Sequence, residues 1–312
     1  MPIKLDWVDH NVAADSRKVY RSLTKIDQGN LGVPIATLAG DALTYTDNTV
    51  QRGVTYHYVV TNVVGADEAP SAEYIVAYIP YTGPGPQTLL RGTWEYGYFG
   101  RVPLEDILSA VELGAAVSLP NTITIDTGTG NYWHKIVYKG KILFYPNNRI
   151  ASALSFQQLY QLGCVYGTRP STDWPAAIKT QLGTIEQNKV VSSGAHKFVV
   201  RLPTSRSNML STSTVVADLR GGEIDTIFAG MYLNRDANVD NLPTFDDSVA
   251  TLLSSDYVLT ADYYSGTGGS INTVYRGSST TALGNIDFLK SPLSFSSTSA
   301  AINWRPVLEL VT

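Results

Sequence analysis

Seven residues constrain this chain more than any others: Trp94-Glu95-Tyr96-Gly97-Tyr98-Phe99-Gly100. Four aromatic rings and two glycines make a poor helix, and a surface loop would leave too much apolar ring area in water. The stretch therefore predicts a hub that packs against distant parts of its own domain. It follows a Gly/Pro segment and precedes the first helical pattern, so it opens the larger of two domains. Its expected counterpart is Trp304-Arg305-Pro306-Val307-Leu308-Glu309-Leu310. Neither stretch is a catalytic signature.

With 312 residues, each of two domains can bury a core. Only 16% of residues are charged, while Ser, Thr, Gly, Asn and Tyr are plentiful, which suits β-structure and contact surfaces. A net charge of -4 without any Lys/Arg run argues against a nucleic-acid partner. No apolar run approaches a membrane span, and Met1 to Trp7 lacks a signal-peptide pattern, so the expectation is a soluble, cytoplasmically made protein without membrane insertion. The single cysteine, Cys164, lies in Leu162-Gly163-Cys164-Val165-Tyr166-Gly167, a context that predicts a buried structural thiol.

Residues 1–81 read as a small all-β domain. Alternation predicts strands at Leu5–Asp9 and Arg17–Leu23, then at Val33–Leu38 and Ala42–Asp47 around the turn Ala39-Gly40-Asp41. The strongest strand is Val54–Asn62, with Tyr56, Tyr58 and Val60 on one face and His57, Val59 and Thr61 on the other. Ala72–Tyr78 completes the set. His10 and His57 have no paired nucleophile in the pattern and read as structural or solvated.

The spacing Val50-x-x-Gly53-x-x-Tyr56 resembles the tyrosine corner of fibronectin type III domains, which belong to the immunoglobulin-like β-sandwiches. The resemblance implies that Trp7 is the core tryptophan of the second strand and Tyr20 the aromatic of the third. Against that pattern this sequence has a short or missing first strand, which leaves an edge open to pairing with another chain.

Residues 82–92 read as a Gly/Pro linker, with the boundary carried by Tyr81-Thr82-Gly83-Pro84-Gly85-Pro86-Gln87. Residues 93–312 then read as a loop-rich α+β domain. Pro103–Leu113 predicts a helix stopped by Gly114. Tyr132–Tyr138 and Lys141–Tyr145 flank Lys139-Gly140 as a β-hairpin. Ser155 caps a helix over Phe156–Leu162 before Gly163. Residues 168–194 read as a loop-rich insertion, His196–Leu202 as a strand, and residues 219–233 as holding part of a helix.

The order of hub, helix, Lys139-Gly140 hairpin, Leu162–Gly167 motif, Lys197–Leu202 strand and Trp304–Leu310 closing motif resembles a domain of tailed-bacteriophage virion structural proteins, of the fibre, collar or decoration type. That resemblance implies a non-enzymatic tail, baseplate or neck-associated subunit located in the virion and assembled in the host cytoplasm. It implies other virion proteins and copies of itself as partners, with host surface glycan as a further one. A host-glycan receptor-binding protein, a capsid decoration protein and a glycan-degrading enzyme are the alternatives.

No sequence pattern calls for a cofactor. Asp236-Ala237-Asn238-Val239-Asp240-Asn241, with Thr244 and Asp247, echoes a calcium loop but places Asn241 where the turn glycine belongs, so a solvated turn is the expectation. Asp218, Glu223 and Asp225 would be the acids of a glycosidase, although Arg220 between them reads as an ion-pair partner. The remaining functional residues are aromatics in predicted loops. Trp174, Tyr263 and Tyr264 are the ligand or interface contacts the sequence offers, and they serve equally well as anchors of their own loops.

Overall fold

The computed structural model describes residues 3–8, 14–79, 81–128, 130–205, 222–224, 257–265, 271–276, 289–298 and 302–311, and is mostly β-sheet. The N-terminal strands are β1 (Ile3–Asp6), β2 (Ser16–Ser22), β3 (Ala36–Ala39), β4 (Thr44–Asp47), β5 (Thr55–Val64), β6 (Asp67–Pro70) and β7 (Tyr74–Ala77). Among the described residues β1 and β4 pair only with each other, antiparallel. The second sheet runs β3-β2-β5, and β6 and β7 pair with successive halves of β5 like one broken strand.

Alternation along β5 decides what is buried. Tyr56, Tyr58 and Val60 join Ile3, Leu5 and Val19 in a core on one face, while Val59 and Tyr20 pack with Ile26 on the other. Val19 lies in the first of these cores and Tyr20, on the third strand of the resemblance, in the second, where its hydroxyl donates to Glu68. Trp7 is half-buried and donates its indole N–H to the Ala42 carbonyl, which the Arg17 guanidinium also reaches. Buried Asp47 accepts from Tyr58 at 2.9 Å and from Arg21 at 2.7 Å, tying β4 to the opposite sheet. The Gln51 N–H donates to the Tyr56 hydroxyl at 2.8 Å. Strand β6 was not expected; it forms because Gly65, at φ 58°, turns the chain back onto β5.

The larger part begins with β8 (Arg91–Gly92) and β9 (Tyr96–Pro103), followed by α1 (Ala110–Val117), β10 (Thr124–Ile125), β11 (Tyr132–Tyr138), β12 (Lys141–Pro146) and β13 (Ala151–Ser152). Next come α2 (Phe156–Gln161), α3 (Ala176–Leu182), β14 (Val190–Ser193), β15 (His196–Arg201), β16 (Tyr257–Ser265), β17 (Ile271–Arg276), β18 (Leu289–Ser294), β19 (Ile302–Trp304) and β20 (Val307–Leu310). One sheet runs β14-β15-β20-β12-β11-β9-β8 and the other β10-β13-β19-β16-β17-β18.

The aromatic hub is strand β9, and it carries a bulge. Lys135 faces Gly100 while Ile136 faces Tyr98, so Phe99 is the extra residue, and Gly100 takes φ 124°, which favours glycine. Phe99 is fully buried, and Trp94 meets it edge-on at 5.7 Å. The second half of the closing motif lies in the same sheet, with β11 and β12 between it and the hub. Trp304 ends β19 in one sheet, and after Arg305-Pro306 the chain enters the other as β20, antiparallel to both β12 and β15.

The Lys139-Gly140 turn has φ 48° and 76°, the two positive values a tight hairpin requires. A Cβ at Gly140 would come within 2.5 Å of the Gly53 carbonyl oxygen, so glycine also permits that contact with the N-terminal part. Residues 82–87 run against the larger sheet: Lys135 donates to Thr82 Oγ1 and to the carbonyls of Gly83 and Pro86.

Two expectations for the helices need correction. Leu104–Asp106 forms only a 3-10 turn, and the helix starts at Ala110 because Ser109 and Glu112 make a reciprocal capping box. Gly114, read as a stop, lies inside α1, where a Cβ would approach Ile125 Cδ1 to 2.8 Å; Ser118 ends the helix at φ 66°. Removing the cap in Ser109→Ala is expected to cost about 1 kcal/mol, read as a lower urea midpoint with unchanged slope. The presumed loop at 168–194 holds α3 and β14. Of 219–233 only residues 222–224 are described.

Candidate functional site

Strand order brings charge together at one end of the larger sheet. β15, β20 and β12 are neighbours, and alternation puts Arg201, Glu309 and Lys141 on one face. The Arg201 guanidinium donates to both Glu223 carboxylate oxygens at 2.7 Å and through Nε to Glu309 at 3.0 Å. Lys141 donates to the other Glu309 oxygen at 2.7 Å. The Thr204 N–H reaches Glu223 at 3.2 Å, and Thr204 Oγ1 accepts from the Glu223 N–H. Arg201, Glu223 and Glu309 are all buried.

Burial works against the Glu309 charge, but the pull of Arg201 and then Lys141 outweighs it and holds the carboxyl below its usual range. Burial likewise opposes charge on Arg201, and the Glu223 and Glu309 carboxylates overcome it, raising the guanidinium's pKa further. Above this array opens a cleft of about 160 Å³, bordered by Tyr138, Lys139 and Lys141 at the hairpin and by Tyr166, Thr168 and Arg169. A larger cleft of about 420 Å³ adjoins it, sharing Thr168 and Arg169 and extending to Trp174, Glu186 and Gln187. Both carboxylates of the array accept from Arg201, so the arrangement holds charge in place rather than poising an acid and a base.

Trp174 is buried, 6% exposed. Its ring stacks on Tyr166 at 5.7 Å, and its indole N–H donates to the Arg169 carbonyl at 2.9 Å. It anchors its own loop while lending an edge to the larger cleft. Trp174→Phe keeps the stack and loses that hydrogen bond, so we expect a loss of about 1 kcal/mol in urea unfolding. Tyr263 and Tyr264 belong to strand β16 rather than to a loop, opposite Thr273 and Asn272. Tyr263 is buried in the same core cluster as Trp174.

Glu223 pairs with Arg201; Asp218, Arg220 and Asp225 lie outside the described residues, and with them the reading of Arg220 as an ion-pair partner, as do His10 and the Asp236–Asp247 stretch. Among the described residues no three metal-ligating side chains converge. Buried His57 lies 3.2 Å from the Glu73 carboxylate. Cys164 is fully buried, and burial pushes its thiol up to about 12. Sequence reasoning missed the Arg201 array, because its members are 168 residues apart at the extremes; the only local signal was a charged residue inside each of three apolar strands.

Compared with protein-family models, with curated proteins and with solved structures, the chain finds no match.

Proposed function

We propose that this chain is a non-enzymatic structural subunit of a tailed-bacteriophage particle, a fibre or collar component that assembles through β-edge pairing and polar-aromatic surfaces. The observation that carries the assembly mode is the pair β1 and β4, which bond only to each other among the described residues and so offer outer edges to a further strand. The N-terminal arrangement supports the fibronectin type III-like reading of residues 1–81. Two short strands face the β3-β2-β5 sheet across a common core, the first strand of the family has no counterpart among the described residues, and the Tyr56 hydroxyl meets the backbone five residues upstream. Symmetric repetition in a virion suits such a module.

Host-glycan contact is a second reading, favoured by the adjoining clefts around Arg169 and Trp174. Localising the protein in intact particles by cryo-electron microscopy separates the two. Density at the neck, tail tube or baseplate is the expected result. Density only at the distal tip of a fibre would favour the glycan reading, and absence from purified particles would overturn both.

A further inference from the structure

We propose that strand β1 pairs antiparallel with β1 of a second copy of this chain, about a two-fold axis through Leu5, and so joins two N-terminal modules into one continuous sheet. The backbone fixes which residues face outward. Continuing the β1–β4 register past Asp6 and Thr44, the Trp7 N–H donates to the Leu43 carbonyl at 3.1 Å. Antiparallel ladders alternate between bonded and non-bonded pairs, so Ile3, Leu5 and Trp7 turn their backbone groups toward β4. Lys4 and Asp6 turn theirs the other way, where no backbone partner meets them among the described residues.

The side chains then select the partner and the register. Lys4 and Asp6 have side chains 60% and 61% exposed and form an ion pair with each other at 2.8 Å, on the face opposite the buried Ile3 and Leu5. Outward-facing residues bond only to outward-facing residues of an incoming strand. Where that strand is another β1, the symmetric registers set Lys4 against Lys4, Asp6 against Asp6, or Lys4 against Asp6 on both sides of the axis. The last alone brings no like charges together. It gives an opposite-charge pair on either side of Leu5 and lets each of these residues exchange both of its backbone bonds. The charge pattern of β1 is thus complementary to itself. The outer edge of β4 presents Thr44 and Thr46 in the same way and carries no charge that would fix a register.

The inference deepens the β-edge assembly reading and rests on it, yet it fails separately, because self-association is measured on the purified chain and the place in the particle by microscopy. So short a ladder binds weakly on its own and gains from copies held close together, so sedimentation velocity should run up to about 0.5 mM protein in low salt. The wild type should shift from monomer toward dimer over that range. Lys4→Glu alone and Asp6→Lys alone each set like charges across the axis and should weaken association at least about tenfold. The double variant Lys4→Glu/Asp6→Lys restores the opposite pairs and should recover the association of the wild type. All three should keep the wild-type urea midpoint, since both side chains are exposed. A chain that stays monomeric throughout, single variants that associate like the wild type, or a double variant no better than the single ones would each overturn the assignment. The first outcome leaves the β1 edge to a strand of a different protein, and the second moves the contact to another surface of this chain.

Discussion

Replacing Arg201 with methionine is expected to destabilise the larger part by about 3–5 kcal/mol at neutral pH, because it strands the buried Glu223 carboxylate and leaves buried Glu309 with Lys141 alone. The loss should exceed what the pairing itself is worth, since Glu223 would be left buried and its Thr204 contacts cannot balance a full charge. Urea midpoints of the two proteins measure it. The dependence on pH gives a second readout. In the wild type the depressed Glu309 carboxyl contributes stability that is present above the ordinary glutamate range, about pH 4.3, and is lost as pH falls through its lower folded value. In Arg201→Met the pull of the guanidinium on Glu309 is gone and less stability is lost on acidification, so the gap between the proteins should narrow below about pH 4. A gap that stays constant from pH 7 to pH 3 would show that the array does not carry the difference.

Lys135 is the second sensitive position, and its linkage runs the other way. It is fully buried on the face of β11 that meets Phe99 and Phe144, and its partners are Thr82 Oγ1 and two backbone carbonyls, with no carboxylate among them. Burial alone lowers its pKa to about 8. Between about pH 8 and the ordinary lysine value near 10.4 the unfolded chain binds more protons than the folded one, so the wild type gains stability as pH rises. Lys135→Met removes that gain. The variant should be less stable by about 1–3 kcal/mol at pH 7, from the lost hydrogen bonds, and the deficit should grow by about 2–3 kcal/mol by pH 10.5. The Pro86 carbonyl loses its donor, so proteolysis of the 82–87 segment should accelerate as well. Equal slopes of stability against pH in the two proteins would refute the account.

Local pattern was legible where local physics decides structure. The strand face of Tyr56, Tyr58 and Val60, the Lys139-Gly140 turn and the Ser155 cap each depend on neighbours within a few residues, and each is found as read. The first helix was misplaced because proline and two acids at its apparent start satisfied composition, whereas the capping box at Ser109 and Glu112 satisfied the backbone. Helix α3 was missed although Pro175 precedes it and Gly183 closes it at φ 82°; one buried residue, Ile178, gave too faint a period. The aromatic candidates were read as loop residues because polar sequence surrounds them, yet two of them serve the core. The Arg201 array and the Lys135 clasp depend on partners far away in sequence, so no window of the chain contained them.

The position of β20 sets how this protein reaches its structure. Its four residues complete the sheet from the inside, between β15 and β12, across a sequence gap of 168 residues from Lys141. Contacts of that separation demand a large loop-closure cost before they return anything, so folding should be slow, on the order of milliseconds to seconds. Until β20 arrives, β12 and β15 each present a bare edge facing the same gap. The slot is one strand wide, so a β20 from a second copy of the chain would fit it as well as the chain's own.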